Sequence, residues 1–270
     1  MKRKAILLLF SGLISLAISQ TMNRELVDKS IQDSPAFSIF RDNYFITGSA
    51  LGSMPTKYNS DAKFQVSFKY RIMNKPLIYD IYPYLAYTQK SFWDIFQNSA
   101  PFAESNYNPA FFLARPFFKD NEMKSLFTLG VEHESNGRDS ISGTRSWNFI
   151  SMQCGFFLNP ALSAGIKLWA PFATEENPDL MDYIGYGEAS LNWIIIQSKL
   201  SANLSARVGK LSEGKGNIKM ELAYRPFRNR NQHLLLQWYE GYAESLINYQ
   251  QKVNMLRIGF VLKPDFYRFY

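Results

Sequence analysis

The chain has 270 residues and a formal charge of +7, enough for one large all-β domain or two small ones and without the long basic run that nucleic acid as a partner would ask for. Its single cysteine, Cys154, excludes an intrachain disulfide and a cysteine-built metal cluster. Aromatic residues make up 16% of the chain, yet beyond the N-terminus no apolar run approaches the ~20 residues of a spanning helix, so any membrane-crossing structure has to be a closed β-barrel.

In chain order, Lys2, Arg3 and Lys4 come first, then the apolar stretch 5–18, with the small residues Ala17 and Ser19 just before Gln20. A basic head, a short apolar run and small residues at its end make a secretory signal peptide over residues 1–19. An uncleaved anchor is the alternative, but the run is short for one. Cleavage takes away three cations and leaves a charge of about +4. Residues 20–41 carry no readable motif and are taken as an N-terminal periplasmic segment ahead of a barrel over 42–270.

The barrel is read from stripes. Phe64, Val66, Phe68, Tyr70 and Ile72 alternate with Lys63, Gln65, Ser67, Lys69 and Arg71, a period of two that a strand produces and a helix does not. Stripes recur at Leu162–Ala164–Ile166–Leu168, at Leu200–Ala202–Leu204–Ala206–Val208, at Ile218–Met220–Leu222–Tyr224 and at Leu256–Ile258–Phe260–Leu262. Twelve strands follow, at 42–49, 62–73, 77–90, 108–118, 125–135, 147–157, 162–172, 183–195, 199–208, 216–226, 232–239 and 254–263, most of them near the length of a tilted membrane strand. Short links near 74–75, 120–122, 159–160, 197–198 and 228–231 alternate with longer ones at 50–61, 91–106, 136–146, 174–182 and 240–253. That asymmetry suits an all-β, twelve-stranded antiparallel transmembrane barrel with its long loops outside the cell and both termini in the periplasm. The aromatic tail Phe266, Tyr267, Phe269 and Tyr270 suits an interfacial girdle. A soluble sandwich or lipocalin-like barrel would give the same stripes. The charges opposite them (Lys69, Arg71, Lys167, Arg207, Lys219, Glu221, Arg225 and Arg257) favour a polar lumen with paired ions.

Chemistry concentrates at the end of the fifth and sixth strands. His133 and Ser135 share a face with Phe127, Leu129 and Val131, and Asn148 heads the stripe Ile150, Met152, Cys154, Phe156 and Leu158. Three polar residues thus meet on the lipid-facing wall, where a polar group is costly unless it has a partner. His133 can take the Ser135 proton and Asn148 can orient the imidazole. On spacing alone, a simple polar cap at the membrane interface is the commoner outcome of such a pattern. Glu132 and Glu134 point to the other face, toward interior cations. His233 reads as a turn-side polar residue, Asp179 as a loop cap and Cys154 as an apolar filler.

The run HESNGR at 133–138, followed by RSWN at 145–148, resembles the active-site region of the outer-membrane phospholipase A family. So, in the same order, do YTQKSFW (87–93), PFAESNYNP (101–109), ENPDLMDYIGY (176–186) and GYAESLINY (241–249). The resemblance runs from about residue 84 to the C-terminus. It implies a twelve-stranded outer-membrane barrel of a Gram-negative bacterium that hydrolyses phospholipid acyl esters, uses Ca2+ and acts as a homodimer. It implies Ser135 as nucleophile, His133 as base, Asn148 as orienting residue and the Gly137 N–H in the oxyanion hole. Calcium ligands would be the Arg138 carbonyl, Thr144 in place of the family's serine, and Ser99 from the partner protomer. Gln89 would sit at the dimer interface. The 138–148 loop is one residue longer than the family's, near Gly143. Phospholipid reaching the outer leaflet would promote dimerisation. Two other functions stay open on the sequence: a structural or passive-transport barrel, and an acyltransferase using the same acyl-enzyme.

Overall fold

The computed structural model describes residues 23–139, 143–227 and 231–263. The expected signal peptide, most of the 228–231 link and the aromatic tail Phe266–Tyr270 lie outside them. A helix α1 (Arg24–Asp33) and a short strand β1 (Phe37–Ile39) precede the strands β2 (Asn43–Ala50), β3 (Ser60–Arg71), β4 (Tyr82–Trp93), β5 (Phe102–Lys119), β6 (Glu122–Ser135), β7 (Ser146–Asn159) and β8 (Leu162–Phe172). A short helix α2 (Leu180–Ile184) comes next, then β9 (Gly187–Ile196), β10 (Leu200–Val208), β11 (Gly216–Tyr224), β12 (Gln232–Gly241) and β13 (Val253–Leu262). Each strand from β2 to β13 pairs antiparallel with its neighbours, and β2 also pairs with β13, so these twelve strands close into a barrel without an open edge. β1 continues the β2 side of the wall: Phe37–Ile39 pair with β3 at Tyr70–Phe68, just past the last β2 pair, Tyr44 with Gln65.

The side chains settle which face is which. Val66, Ile150 and Phe260 on the outer wall are 47%, 48% and 65% exposed, whereas Lys63 and Arg257 inside are 3% and 2% exposed. Apolar outside and charged inside is the reverse of a soluble barrel and the arrangement that lipid demands. Among the described residues no helix is long and apolar enough to cross a membrane, so the strands do the crossing. Many interior charges are paired. Arg257 forks onto Asp61 at 2.6 and 2.7 Å and reaches Glu244 at 2.7 Å. Lys63 holds Glu244 and Gln237, each at 2.9 Å, and Gln237 donates to Glu221 at 2.8 Å. Arg225 departs from expectation: it lies past the end of β11 and donates to the Phe227 carbonyl within the turn.

Both ends of the lumen are filled. At the short-turn end, α1 is capped by Asn23, whose side chain accepts the Leu26 N–H at 2.8 Å. The Arg71 guanidinium donates to the Ile31 and Ser34 carbonyls, and Tyr82 donates to Asp28 at 3.3 Å. Ile31 and Phe40 pack on an inward cluster of Tyr82, Tyr84, Phe112 and Leu126. At the long-loop end, Leu180 and Ile184 of α2 and Leu246 and Tyr249 of the 242–252 loop close over Trp147, Phe149 and Trp169. Between these plugs lies a polar cavity of about 780 Å³ lined by residues such as Lys90, Lys167, Glu188 and Arg207.

Three strand expectations shift. The fourth begins at Phe102, not at 108, so much of the expected 91–106 link is strand. The third strand begins at Tyr82, not at 77. Leu77 and Ile81 instead bridge across a turn in which Tyr79 and Asp80 take left-handed φ of 62° and 59°, and Arg24 of α1 holds Asp80 at 2.7 Å. The eighth begins at Gly187. The residues before it form α2 and end at Gly185 (φ 65°), where any Cβ would stand 1.9 Å from the Val208 carbonyl oxygen.

Candidate functional site

β6 and β7 form a hairpin whose register pairs His133 with Asn148 and Ser135 with Ser146. Because the strand period is two, His133 and Ser135 stand on one face about 7 Å apart along the strand. That face is the outer wall, continuous with the exposed Val131, Leu129, Ile150 and Met152. His133 Nδ1 meets Asn148 Oδ1 at 2.9 Å. An amide oxygen only accepts, so this contact requires the proton on Nδ1 and leaves Nε2 as the basic nitrogen. All three side chains are half-buried. Behind them, on the lumen side, Glu132 pairs with Lys167 and with Arg41, and Glu134 accepts from Trp147 Nε1 at 3.1 Å. Both carboxylates therefore belong to the scaffold of the wall.

The 136–145 loop, whose residues 140–142 lie outside the described set, is held by Asn136. This buried residue accepts the Arg138 N–H (3.3 Å) and the Arg145 N–H (3.0 Å) on one oxygen, and donates to the Gly143 carbonyl at 2.9 Å. One side chain thus keeps the two ends of the loop together. Gly137 adopts φ 64°, and a Cβ there would lie 2.9 Å from the Tyr107 ring, so only glycine fits. The Arg138 side chain donates to the Ala103 carbonyl on β5. Thr144 Oγ1 donates to Glu176 at 3.1 Å, and the Ser146 N–H is taken by the buried Asn177 at 3.1 Å.

Several sequence expectations sit apart from this cluster. Ser99 is exposed on the 94–101 loop at the same end of the barrel, with φ 64°. Gln89 faces outward on β4, accepting from Tyr87 at 3.2 Å and donating to Ser91 at 3.1 Å. Asp179 precedes α2 without capping it; its carboxylate instead takes Tyr249 and Gln250. His233 lies at the start of β12 beside the Asn231 carbonyl, clear of the site. The roles of Asn136, Tyr107 and Asn177 escaped sequence reasoning, although all three fall inside segments that carried the family resemblance.

A sequence model described as Phospholipase A1 matches residues 27–262. The chain belongs to the phospholipase A1 family. Among curated members, phospholipase A1 of Salmonella typhimurium is 30% identical over 214 residues, covering 76% of this chain and 71% of that protein. The Escherichia coli K12 enzyme gives the same figures. A putative phospholipase A1 of Neisseria meningitidis serogroup B is 30% identical over 217 residues, 74% of this chain. The chain spans about half of that relative's length (54%). Of solved structures, outer membrane phospholipase A from Escherichia coli superposes with a TM-score of 0.75 over 89% of this chain and 98% of that one, at 22% identity. The Salmonella typhi outer membrane phospholipase dimer with bound calcium gives 0.76 over the same shares, at 23%. At that identity both speak for the fold. As a phospholipase A1-family barrel, the protein is a phospholipid ester hydrolase of the Gram-negative outer membrane.

Proposed function

We propose that Ser135 attacks the acyl carbonyl of an outer-leaflet phospholipid while His133 Nε2 takes its proton. Asn148 holds the imidazole through Nδ1, and the Gly137 N–H faces the oxyanion. The histidine then protonates the leaving alcohol, a water hydrolyses the acyl-enzyme, and Ser135 is regenerated. Both acyl positions and lysophospholipids are substrates on this reading, because the nucleophile stands on an open lipid-facing wall. The 2.9 Å contact of His133 with Asn148 on that wall is the observation that supports it most. Long loops at the site's end make that end extracellular, with residues 1–19 a signal peptide and 20–41 a periplasmic segment.

Calcium is the group this family resemblance adds. The donors near Gly137 are oxygens, the Arg138 carbonyl and the Thr144 hydroxyl with Glu176 beside it, and oxygen donors are what this hard cation takes. Among the described residues no cluster of three or more His, Cys, Asp or Glu stands ready for a metal; backbone and hydroxyl oxygens, Glu176, water and the partner's Ser99 would complete the shell. Bound there, calcium would polarise the ester carbonyl as charge develops. The active form is then a homodimer, with Gln89 at its interface. Replacing Ser135 with Ala should lower phospholipid hydrolysis in calcium-containing micelles by about 10⁴-fold or more. Activity at the wild-type level in that variant, or unchanged in excess chelator, would refute the site or the metal respectively.

A further inference from the structure

The β5–β6 ladder breaks beside the histidine. Tyr107 pairs with Ser135, and pairing resumes only at Ala110 with Glu132. The positions skipped are Asn108 opposite Glu134 and Pro109 opposite His133. The His133 carbonyl points toward β5, because Asn108 Nδ2 donates to it at 2.9 Å. In an unbroken antiparallel pair that carbonyl would accept the N–H of the residue directly across. Here that residue is Pro109, which has no N–H. The side chain of its neighbour fills the vacancy. Asn108 is buried, 7% exposed, and lines the lumen, whereas the imidazole it serves stands on the lipid-facing side. The contact therefore passes through the barrel wall.

We propose that Asn108 is a positioning residue for the hydrolysis, resting on the reading of His133 as the base. Its amide replaces the ladder bond that Pro109 removes and fixes the main chain at His133. The imidazole is thereby set against Ser135 from behind, as Asn148 sets it from the side. Without this amide the His133 carbonyl is left inside the wall with no donor, and β6 is free to shift away from β5 at the one residue whose placement the proton transfer needs.

The test uses the folded barrel in mixed micelles, with heat-dependent gel mobility reporting the fold. Asn108→Ala should slow phosphonate labelling of Ser135 by about tenfold or more, lowering kcat with KM unchanged. The double variant Asn108→Ala/Pro109→Ala restores a main-chain N–H opposite His133 and should recover the lost reactivity. A readout independent of activity is available because the chain has only two histidines. With ¹³C-carbonyl histidine, and His233→Gln for assignment, the His133 signal should move in Asn108→Ala and return in the double variant. An unmoved signal, unchanged labelling of a folded Asn108→Ala barrel, or a double variant no better than the single one overturns the proposal. A wild-type Ser135 inert to the probe, with the carbonyl signal still moving as expected, overturns it through the hydrolase reading instead, so the two failures are told apart.

Discussion

On the proposed reading, Asn148 would do with an amide what a carboxylate does in many serine hydrolases. It selects one imidazole tautomer through the 2.9 Å contact, and as a neutral group it is cheaper to keep on a lipid-facing wall than a charge. Asn148→Ala should therefore cost about 10²-fold in kcat with little change in KM, as expected when orientation is lost and binding is not. Steady-state kinetics in mixed micelles check this. The juxtaposition itself was legible in the sequence, because period two writes the face of each strand residue directly: Ser135 two after His133, Asn148 heading the neighbouring stripe. The support behind it was not. Asn108 and His133 meet across strands, so their relation depends on a register that no single stretch encodes. Asn136 works through the path of its loop, which periodicity does not describe.

At the scale of elements, the segments with clear stripes became strands, and so did residues 102–107, which read as part of a link. α1 buries only Val27, so it shows no apolar stripe by which to recognise it, and its place is set by Arg71 and Asp80 far along the chain. Residues 77–81 and the end of α2, Tyr183 and Ile184, lay under apolar residues that read as strand and proved to be turn and plug. The long links expected outside the cell at 174–182 and 240–253 fold back over the mouth of the barrel. They are latched together by Asp179, which takes Tyr249 and Gln250. Burial alone would raise the Asp179 pKa, but the hydrogen bonds from Tyr249 and Gln250 outweigh it and hold the carboxyl below its ordinary value. A depressed folded value means the latch contributes fully above the ordinary carboxylate range and is lost as pH falls through the depressed value. Limited proteolysis of these loops should accelerate only on strong acidification. In Asp179→Asn, cleavage should be faster at neutral pH and flat with pH.

Across the whole molecule, the two plugs and the ion pairs of the interior leave a closed-off lumen, which speaks against passive transport. Glu244 reaches from the 242–252 loop to Lys63 on β3 and Arg257 on β13, tying the roof to strands on both sides of the closure. Glu244→Gln leaves the buried Lys63 without its carboxylate, while Arg257 keeps Asp61, and should lower stability by about 3 kcal/mol, seen as a lower denaturant midpoint of the reconstituted barrel. With α1 at one end and the loops at the other, the intact protein should show no steady ion current in a planar bilayer. Deleting residues 24–40 together with the loop segment 244–249 should open one. The β6–β7 hairpin carries a last consequence. The proposed nucleophile, base and orienting residue all lie within residues 133–148, so this cluster has low contact order and can assemble as soon as two adjacent strands zip. Joining β2 to β13, by contrast, must await nearly the entire chain. Cutting and rejoining the chain at a distant turn, such as the one between β9 and β10, would change how the wall closes while leaving the reactive hairpin intact.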